Sequence, residues 1–226
     1  MAKFCIDPGH GGSDPGAMNG SRKEKDDVLK LAKKIKPLLE EQGHTVILTR
    51  DDGVETVTID RRCSMANKAG CDYFLSLHRN SAGAKARGIE IWVHSRAMDK
   101  TVEQAKGILT RCCAVGGKSR GVKKGAVSYT DYGVNVGTDM PSALLELLFI
   151  SSAEDNALFD KYLDDYALAI AKGLVAAVGG KWVDKPKAPK TLYRVQTGAF
   201  FSKANAEKQA KELREMGYST VITAEK

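Results

Sequence analysis

Short apolar runs alternate with amphipathic stretches through the first 180 residues, and no other feature constrains the fold as tightly. The run "KFCID" (3–7) reads as a strand, and residues 23–42 carry helical spacing through Val28, Leu31, Ile35 and Leu38–Leu39. Pro37 falls inside that pattern and predicts a kink or a break. "TVILTR" (45–50) predicts a second strand, and residues 58–69 a second helix closed at Gly70. "DYFLSLH" (72–78), "GIEIWVHS" (88–95) and the buried-type run "SALLEL" (142–147) follow as strands, with helices at 99–115 and about 155–178. This alternation predicts an α/β fold built on a mainly parallel sheet flanked by helices.

At Gly179 the composition changes. "GGKWVDKPKAPK" (179–190) is rich in Gly, Lys and Pro, and Pro186 and Pro189 stiffen it as an extended tether. Beyond it, "TLYRVQTGAF" reads as a strand, "SKANAEKQAKELREMG" as a helix with Ser202 as N-cap and Gly217 as stop, and "YSTVITA" as a strand. That is a small C-terminal βαβ half-module, too short to bury a core well alone. The expected organisation is therefore a catalytic-sized domain at 1–178, a linker at 179–190 and a half-module at 191–226.

Charge and cysteines narrow the setting. Of the net +7, residues 181–226 carry +5, from ten Lys/Arg against five Asp/Glu. A small basic module attracts polyanions: nucleic acid, anionic lipid or anionic cell-wall polymer. Against nucleic acid, Glu207, Glu212 and Glu215 dilute any basic face of the tail helix. The five cysteines, with Cys112 and Cys113 adjacent and no C-x-x-C spacing, make a poor disulfide or zinc framework and read as small core residues. "MAKFCIDPGH" has neither the basic nor the apolar region of an export signal, and no apolar run approaches a membrane span. The expectation is a chain that is cytoplasmic until it is released.

The loop after the first strand spells "DPGHGGSDPGA" (7–17), four glycines around one histidine. As a phosphate cradle it lacks both the G-x-x-x-x-G-K-[ST] lysine and the G-x-G-x-x-G spacing. In α/β sheets functional groups gather beyond the carboxyl ends of the strands. His10 stands there after the first strand, His78 after "DYFLSL", and Glu146 within or at the end of "SALLEL"; Glu24 opens the first helix. Two imidazoles and a carboxylate, with water in the fourth position, form the pattern of a hydrolytic zinc site, and a further carboxylate would serve as general base. Each residue also has a plain structural reading. A strand-end histidine often only hydrogen-bonds, and Glu24 suits a helix N-terminus without any metal. Glu146 is harder to explain away, because a carboxylate among Leu144, Leu145, Leu147 and Leu148 is costly unless paired or metal-linked. His44 and His94 are weaker candidates.

Taken together, "IDPGHGGSDPGA", "EKDDVLKLAKKIKPLLEEQGHTVILTR", "IDRRCSMANKAGCDYFLSLHRNS", "GIEIWV" and "MPSALLELLFISS" resemble, in order and spacing, the zinc-dependent N-acetylmuramoyl-L-alanine amidases of the Amidase_3 type over about residues 3–178. The resemblance implies a twisted sheet and a peptidoglycan hydrolase. Its target is the amide between the lactyl group of N-acetylmuramic acid and L-alanine of the stem peptide. It implies Zn2+ as cofactor, His10, Glu24 and His78 as ligands, and Glu146 as catalytic base. The chain departs from the family at Leu148, where glycine is usual, at Ser152, where asparagine is usual, and at Asn135–Val136, where Leu-Arg is frequent. Arg79 follows the second histidine where small or apolar residues are common, and is expected to bind a stem-peptide carboxylate.

The tail resembles one half of the sporulation-related (SPOR-like) wall-binding modules. A half-module exposes a sheet edge, which predicts a homodimer through residues 191–226. Two settings suit such a chain, a phage endolysin and a sporulation mother-cell autolysin; its shortness, basic tail and lack of an export signal favour the endolysin. The alternatives are a zinc carboxypeptidase acting on stem peptides and a non-catalytic wall-binding protein. Retention of His10, Glu24, His78 and Glu146 argues against the latter.

Overall fold

The computed structural model describes residues 1–83, 85–126, 131–184 and 196–224, in two units, Met1–Val183 and Asp184–Lys226. In the first unit, β1 (Lys3–Pro8) leads into a two-residue pair, β2 (Met18–Asn19) and β3 (Arg22–Lys23), then α1 (Glu24–Glu41) and β4 (Thr45–Leu48). Next come α2 (Ile59–Ala69), β5 (Tyr73–Asn80), β6 (Ile89–Val93), α3 (Asp99–Val115) and β7 (Ser119–Lys124). The short α4 (Gly133–Gly137), β8 (Ser142–Phe149), α5 (Ala153–Lys161) and α6 (Leu163–Ala177) complete it.

Six strands form one sheet in the order β4-β1-β5-β8-β6-β7. The first four are mutually parallel, β6 runs antiparallel to β8, and β7 runs parallel to β6. The sheet is thus mainly parallel with helices on both faces, as the alternation predicts. Successive strand residues face opposite sides. Phe4, Ile6, Leu75, Leu77, Leu145 and Leu147 pack in one core with the apolar stripes of α1, α3 and α6, such as Leu31, Ile35, Ile108 and Ile170. The alternate residues Cys5, Phe74 and Leu144 join a smaller core with Cys63, Ala66, Cys71 and Val134. Burying one such leucine or phenylalanine contributes about 1.5–3 kcal/mol before entropy is counted. Four of the five free cysteines are buried, as small core residues should be.

Several local expectations change. α1 runs unbroken through Pro37. Pro37 and Lys33, whose carbonyl loses its amide donor, both lie on the exposed face, where water can serve that oxygen. β7 was not predicted: "SRGVKK" has no apolar alternation because it is an exposed, basic edge strand, a composition that discourages further pairing. The long helix expected at 155–178 is split at Tyr162, where the backbone leaves helical values (φ −116°, ψ 24°).

β8 carries an irregularity of its own. Leu148, fully buried, has φ +66°, and the β5–β8 register shifts beside it, between His78 and Asn80. A left-handed conformation costs a branched L-residue about 1–2 kcal/mol.

In the second unit, α7 (Lys203–Glu215) forms after Ser202, which gives it no side-chain cap, and is followed by Gly217 at φ +89°. Residues 196–200 and 217–224 belong to no strand, contrary to the βαβ expectation. A strand exists only through a hydrogen-bonded neighbour, and among the described residues this segment has none to pair with. Linker residues 185–190, with Pro186 and Pro189, and the expected strand residues 191–195 lie outside the described residues.

Candidate metal centre

β1 ends at Pro8, and the next two residues bring the first imidazole round. His10 adopts φ +59°, a conformation usually left to glycine. The surrounding glycines are required by close approach. A Cβ on Gly9 would lie 2.3 Å from His78 Cε1, and one on Gly16 (φ +66°) would lie 2.6 Å from His10 Cδ2 and 2.7 Å from Glu24 Oε2. The loop is glycine-rich because two imidazoles and a carboxylate pack directly against its backbone.

Glu24, the first residue of α1, is buried and stands between the two rings. Its Oε2 lies 3.1 Å from His10 Nε2 and accepts the Ala17 N–H at 2.9 Å. Its Oε1 lies 2.9 Å from His78 Nδ1 and accepts the Arg79 N–H at 2.9 Å. Burial pushes this carboxyl up, but both imidazoles outweigh it and hold Glu24 well below the usual carboxylate range. Burial likewise pulls His10 down, yet Glu24 and Asp14 push it up to about 9; Glu24, against the same pull, also raises His78.

One donor atom each from His10, Glu24 and His78 lies within 4.8 Å of the others. Two nitrogens and one carboxylate oxygen converging on one point form the donor set of a catalytic zinc site with an open position. His10 carries a further mark of a ligand. Its outer nitrogen Nδ1 is 2.7 Å from Asp14 Oδ2, which fixes the ring so that Nε2 faces Glu24. Asp14 is itself held by the Gly16 N–H on Oδ1 at 2.9 Å. The residues present fit the ion.

Glu146 sits on β8 directly opposite His78 on β5 and Glu90 on β6. Its Oε2 is buried without a hydrogen-bond partner among the described residues. Burial pushes its carboxyl up to about 7; His78 opposes the rise, and the Glu24 and Glu90 charges add to it. Glu90, by contrast, is fully engaged. Asn80 Nδ2 and Trp92 Nε1 donate to Oε1 at 2.9 and 3.1 Å, and Arg120 Nε donates to Oε2 at 2.7 Å. A cleft of about 240 Å³ is lined by His10, His78 and Glu146 together with Val57, Ile59, Tyr132 and Val134.

The structure thus brings His10, Glu24, His78 and Glu146 together, and it takes Arg79 away from them. Alternation along β5 turns Arg79 to the opposite face from His78. Its buried guanidinium pairs with Asp27, donates to Asn156 Oδ1 at 2.7 Å and lies 4.2 Å over the Phe159 ring. With its charge spent in the core, the side chain is not available to a stem-peptide carboxylate; only its backbone N–H serves the site. His44 accepts the Ala2 N–H at 3.1 Å, and His94 lies 3.4 Å from Asp131, both outside the cleft. Asp14 and Glu90 were missed. Glu90 carried the same signal as Glu146, a carboxylate inside an apolar strand; Asp14 had none of its own, being one of two aspartates in the glycine-rich loop.

The Amidase_3 family model, described as N-acetylmuramoyl-L-alanine amidase, matches residues 4–177, and the SPOR domain model matches residues 189–226. The sporulation-specific N-acetylmuramoyl-L-alanine amidase of Bacillus subtilis is 33% identical over 227 residues, covering 98% of this chain and 84% of that protein. The endolysin of Bacillus phage SPP1 is 37% identical over 207 residues, covering 88% of this chain and 74% of the endolysin. Among solved structures, the N-acetylmuramoyl-L-alanine amidase from Clostridium difficile 630 superposes with a TM-score of 0.73 at 30% identity, covering 80% of this chain and 98% of that one. The catalytic domain of the amidase CwlV from Bacillus (Paenibacillus) polymyxa var. colistinus gives 0.72 at 28% identity, over 80% of this chain and all of that one.

Proposed function

Because the chain belongs to the N-acetylmuramoyl-L-alanine amidase family, we propose that it hydrolyses bacterial peptidoglycan through a zinc ion held by His10, Glu24 and His78, with Glu146 as general base. The bond cleaved is the amide between the muramyl lactyl group and L-alanine. The observation that carries the reading is the convergence of those three donors beside a buried Glu146 oxygen that has no partner among the described residues.

Zinc bound there supplies Lewis acidity toward the lactyl carbonyl and toward a water molecule. Everything else falls to the chain. Asp14 and the backbone amides of Ala17 and Arg79 orient the ligands. Glu146 Oε2 takes a proton from the attacking water and returns it to the alanine nitrogen as the C–N bond breaks, leaving a lactyl carboxylic acid and a free amine. A carboxyl raised by burial suits both halves of that transfer, since it accepts the proton more readily and still releases it.

The SPOR match supports peptidoglycan binding by the second unit, and a net charge of +5 over residues 181–226 suits an anionic wall polymer. Phe201 and Val221 of that unit are exposed, and a second copy pairing through residues 191–226 would cover them. Among the described residues no helix is long and apolar enough to cross a membrane. Action at the cell wall after release, by an endolysin or a sporulation autolysin, fits relatives of both names.

The test is clearing of purified walls. Clearing is expected to require zinc, to free L-alanine amino termini and to leave the glycan intact. Glu146→Gln is expected to lower the rate by about 10²–10⁴ while one zinc per chain stays bound. Loss of zinc in that variant would make Glu146 a ligand instead, and amino termini other than alanine would point to a stem-peptide peptidase.

A further inference from the structure

Two buried arginines outside the donor set close on the loop that carries His10. Arg50 follows β4, and Arg62 lies in α2; they are 3% and 5% exposed. Pro8, Gly9 and His10 present three successive carbonyls, and all three are taken by these two side chains. Arg50 Nε and Arg62 Nη1 donate to Pro8 O at 3.0 and 2.8 Å. Arg50 Nη2 donates to Gly9 O at 2.8 Å, and Arg62 Nη2 to His10 O at 2.6 Å.

The same Arg50 Nη2 donates to Lys25 O at 2.8 Å. One nitrogen therefore ties the residue before His10 to the residue after Glu24, coupling the backbones of two donors. Arg50 Nη1 and Arg62 Nε are anchored on Asp52 O and Val57 O, each at 2.9 Å, and Asp7 pairs with Arg62. Thr49 and Ser76 both donate to Asp7, so the counter-charge is fixed as well. The glycine at position 11 belongs to this arrangement, since a Cβ there would meet Arg50 Cδ at 2.8 Å.

Such a construction has a purpose at His10. A left-handed φ at a non-glycine residue persists only where its surroundings over-determine it. On the loop itself the two guanidiniums meet only the backbone carbonyls of Pro8, Gly9 and His10, so they set the path of the loop and leave the imidazole free for the ion. We propose that Arg50 and Arg62 are positioning residues for the metal centre, a clamp that forms the His10–Glu24 geometry before metal arrives. The proposal rests on the zinc reading above for its consequence, but not for the state of the loop.

Lysine separates this role from a simple need for buried charge. It keeps the cation and the stem, but a single ammonium cannot span the carbonyls that a planar guanidinium bridges. Zinc affinity of full-length Arg50→Lys and Arg62→Lys, measured by competition with a chromophoric chelator, is expected to weaken about 10–100-fold, as when other supports of metal ligands are removed. Arg87→Lys, a surface change, is expected to leave it unaltered. Folded lysine variants that bind zinc within about threefold of the parent overturn the proposal.

Hydrogen exchange in the metal-free parent tests the clamp without any substitution. The Gly9, Gly11 and Gly12 amides donate to Leu77 O, Asp14 O and Gly53 O respectively, within and around the loop. A preformed loop is expected to slow their exchange at least about 100-fold below free-chain rates without zinc. Exchange near the free-chain rate overturns the proposal, whether or not the lysine variants fold. Failure of the parent to bind zinc refutes the metal reading alone, and the exchange result still decides the clamp.

Discussion

Leu148 offers a test of backbone strain that inverts an ordinary rule. Replacing a fully buried leucine by alanine costs about 2–5 kcal/mol in lost burial and cavity formation. The site is tightly packed, since a Cβ on Gly117 would lie 2.8 Å from Leu148 Cδ2, so that loss has little room to relax. Alanine keeps the Cβ and therefore keeps the strain of φ +66°. Glycine removes it, recovering about 1–2 kcal/mol, against about 0.5–1 kcal/mol for the added freedom of the unfolded chain. Leu148→Gly should thus equal Leu148→Ala or exceed it by up to about 1.5 kcal/mol, where an unstrained strand position would favour alanine. Both variants should lie below the parent. Urea unfolding followed by tryptophan fluorescence reads this directly, because Trp92 and Trp182 both belong to the first unit. Alanine more stable than glycine by 0.5 kcal/mol or more (roughly the ordinary difference) would refute the strain argument. This chain gains a packed side chain at position 148 at the expense of backbone comfort.

The remaining expectations concern the site. Asp14→Asn keeps the shape but weakens the hold on His10 Nδ1, and zinc affinity should fall about 10–100-fold with the unfolding midpoint of the metal-free chain little changed; equal affinity would show that Asp14 only shapes the turn. Gly9→Ala drives a Cβ into the His78 ring and should abolish zinc binding, whereas Gly53→Ala, with open space around it, should be silent in the same chelator assay. Retained affinity in Gly9→Ala would mean that His78 is free to swing and is not held at the ligand position.

The parallel strands and their helices were legible because apolar runs and amphipathic stretches differ in period. Three of the four central residues stood out one by one, as strand-end histidines and as a glutamate among leucines, but each had a plain structural reading, and it was the family resemblance that joined them and Glu24 into one site. What escaped depended on partners that sequence spacing does not reveal. β7 is an edge strand with no buried face to impose alternation. The charge on Arg79 looked available because its partners Asp27 and Asn156 stand 52 and 77 residues away. Strand parity alone contained the correction, since neighbours in β5 cannot both face the cleft. In the tail a local pattern suggests strands, but among the described residues 196–200 and 217–224 no neighbour completes a ladder.

The proposed assignment of ligand and base draws further support from what surrounds each carboxylate. Glu24 accepts two backbone amides and faces two imidazole nitrogens, so all its hydrogen-bonding favours the ionised form. Glu146 Oε2 meets no donor among the described residues, in a strand whose neighbours are leucines, and burial raises its affinity for a proton. Two glutamates that both neighbour His78 are therefore pushed in opposite directions, and a charged carboxylate suits a cation while a raised one suits proton transfer. Exchanging the roles would place an unsupported charge at 146 and a proton carrier at 24 whose oxygens are already committed. Glu90 sharpens the contrast, because it lies as deep as either and takes neither role. Asn80, Trp92 and Arg120 saturate its oxygens, which leaves its charge acting on Glu146 only through space.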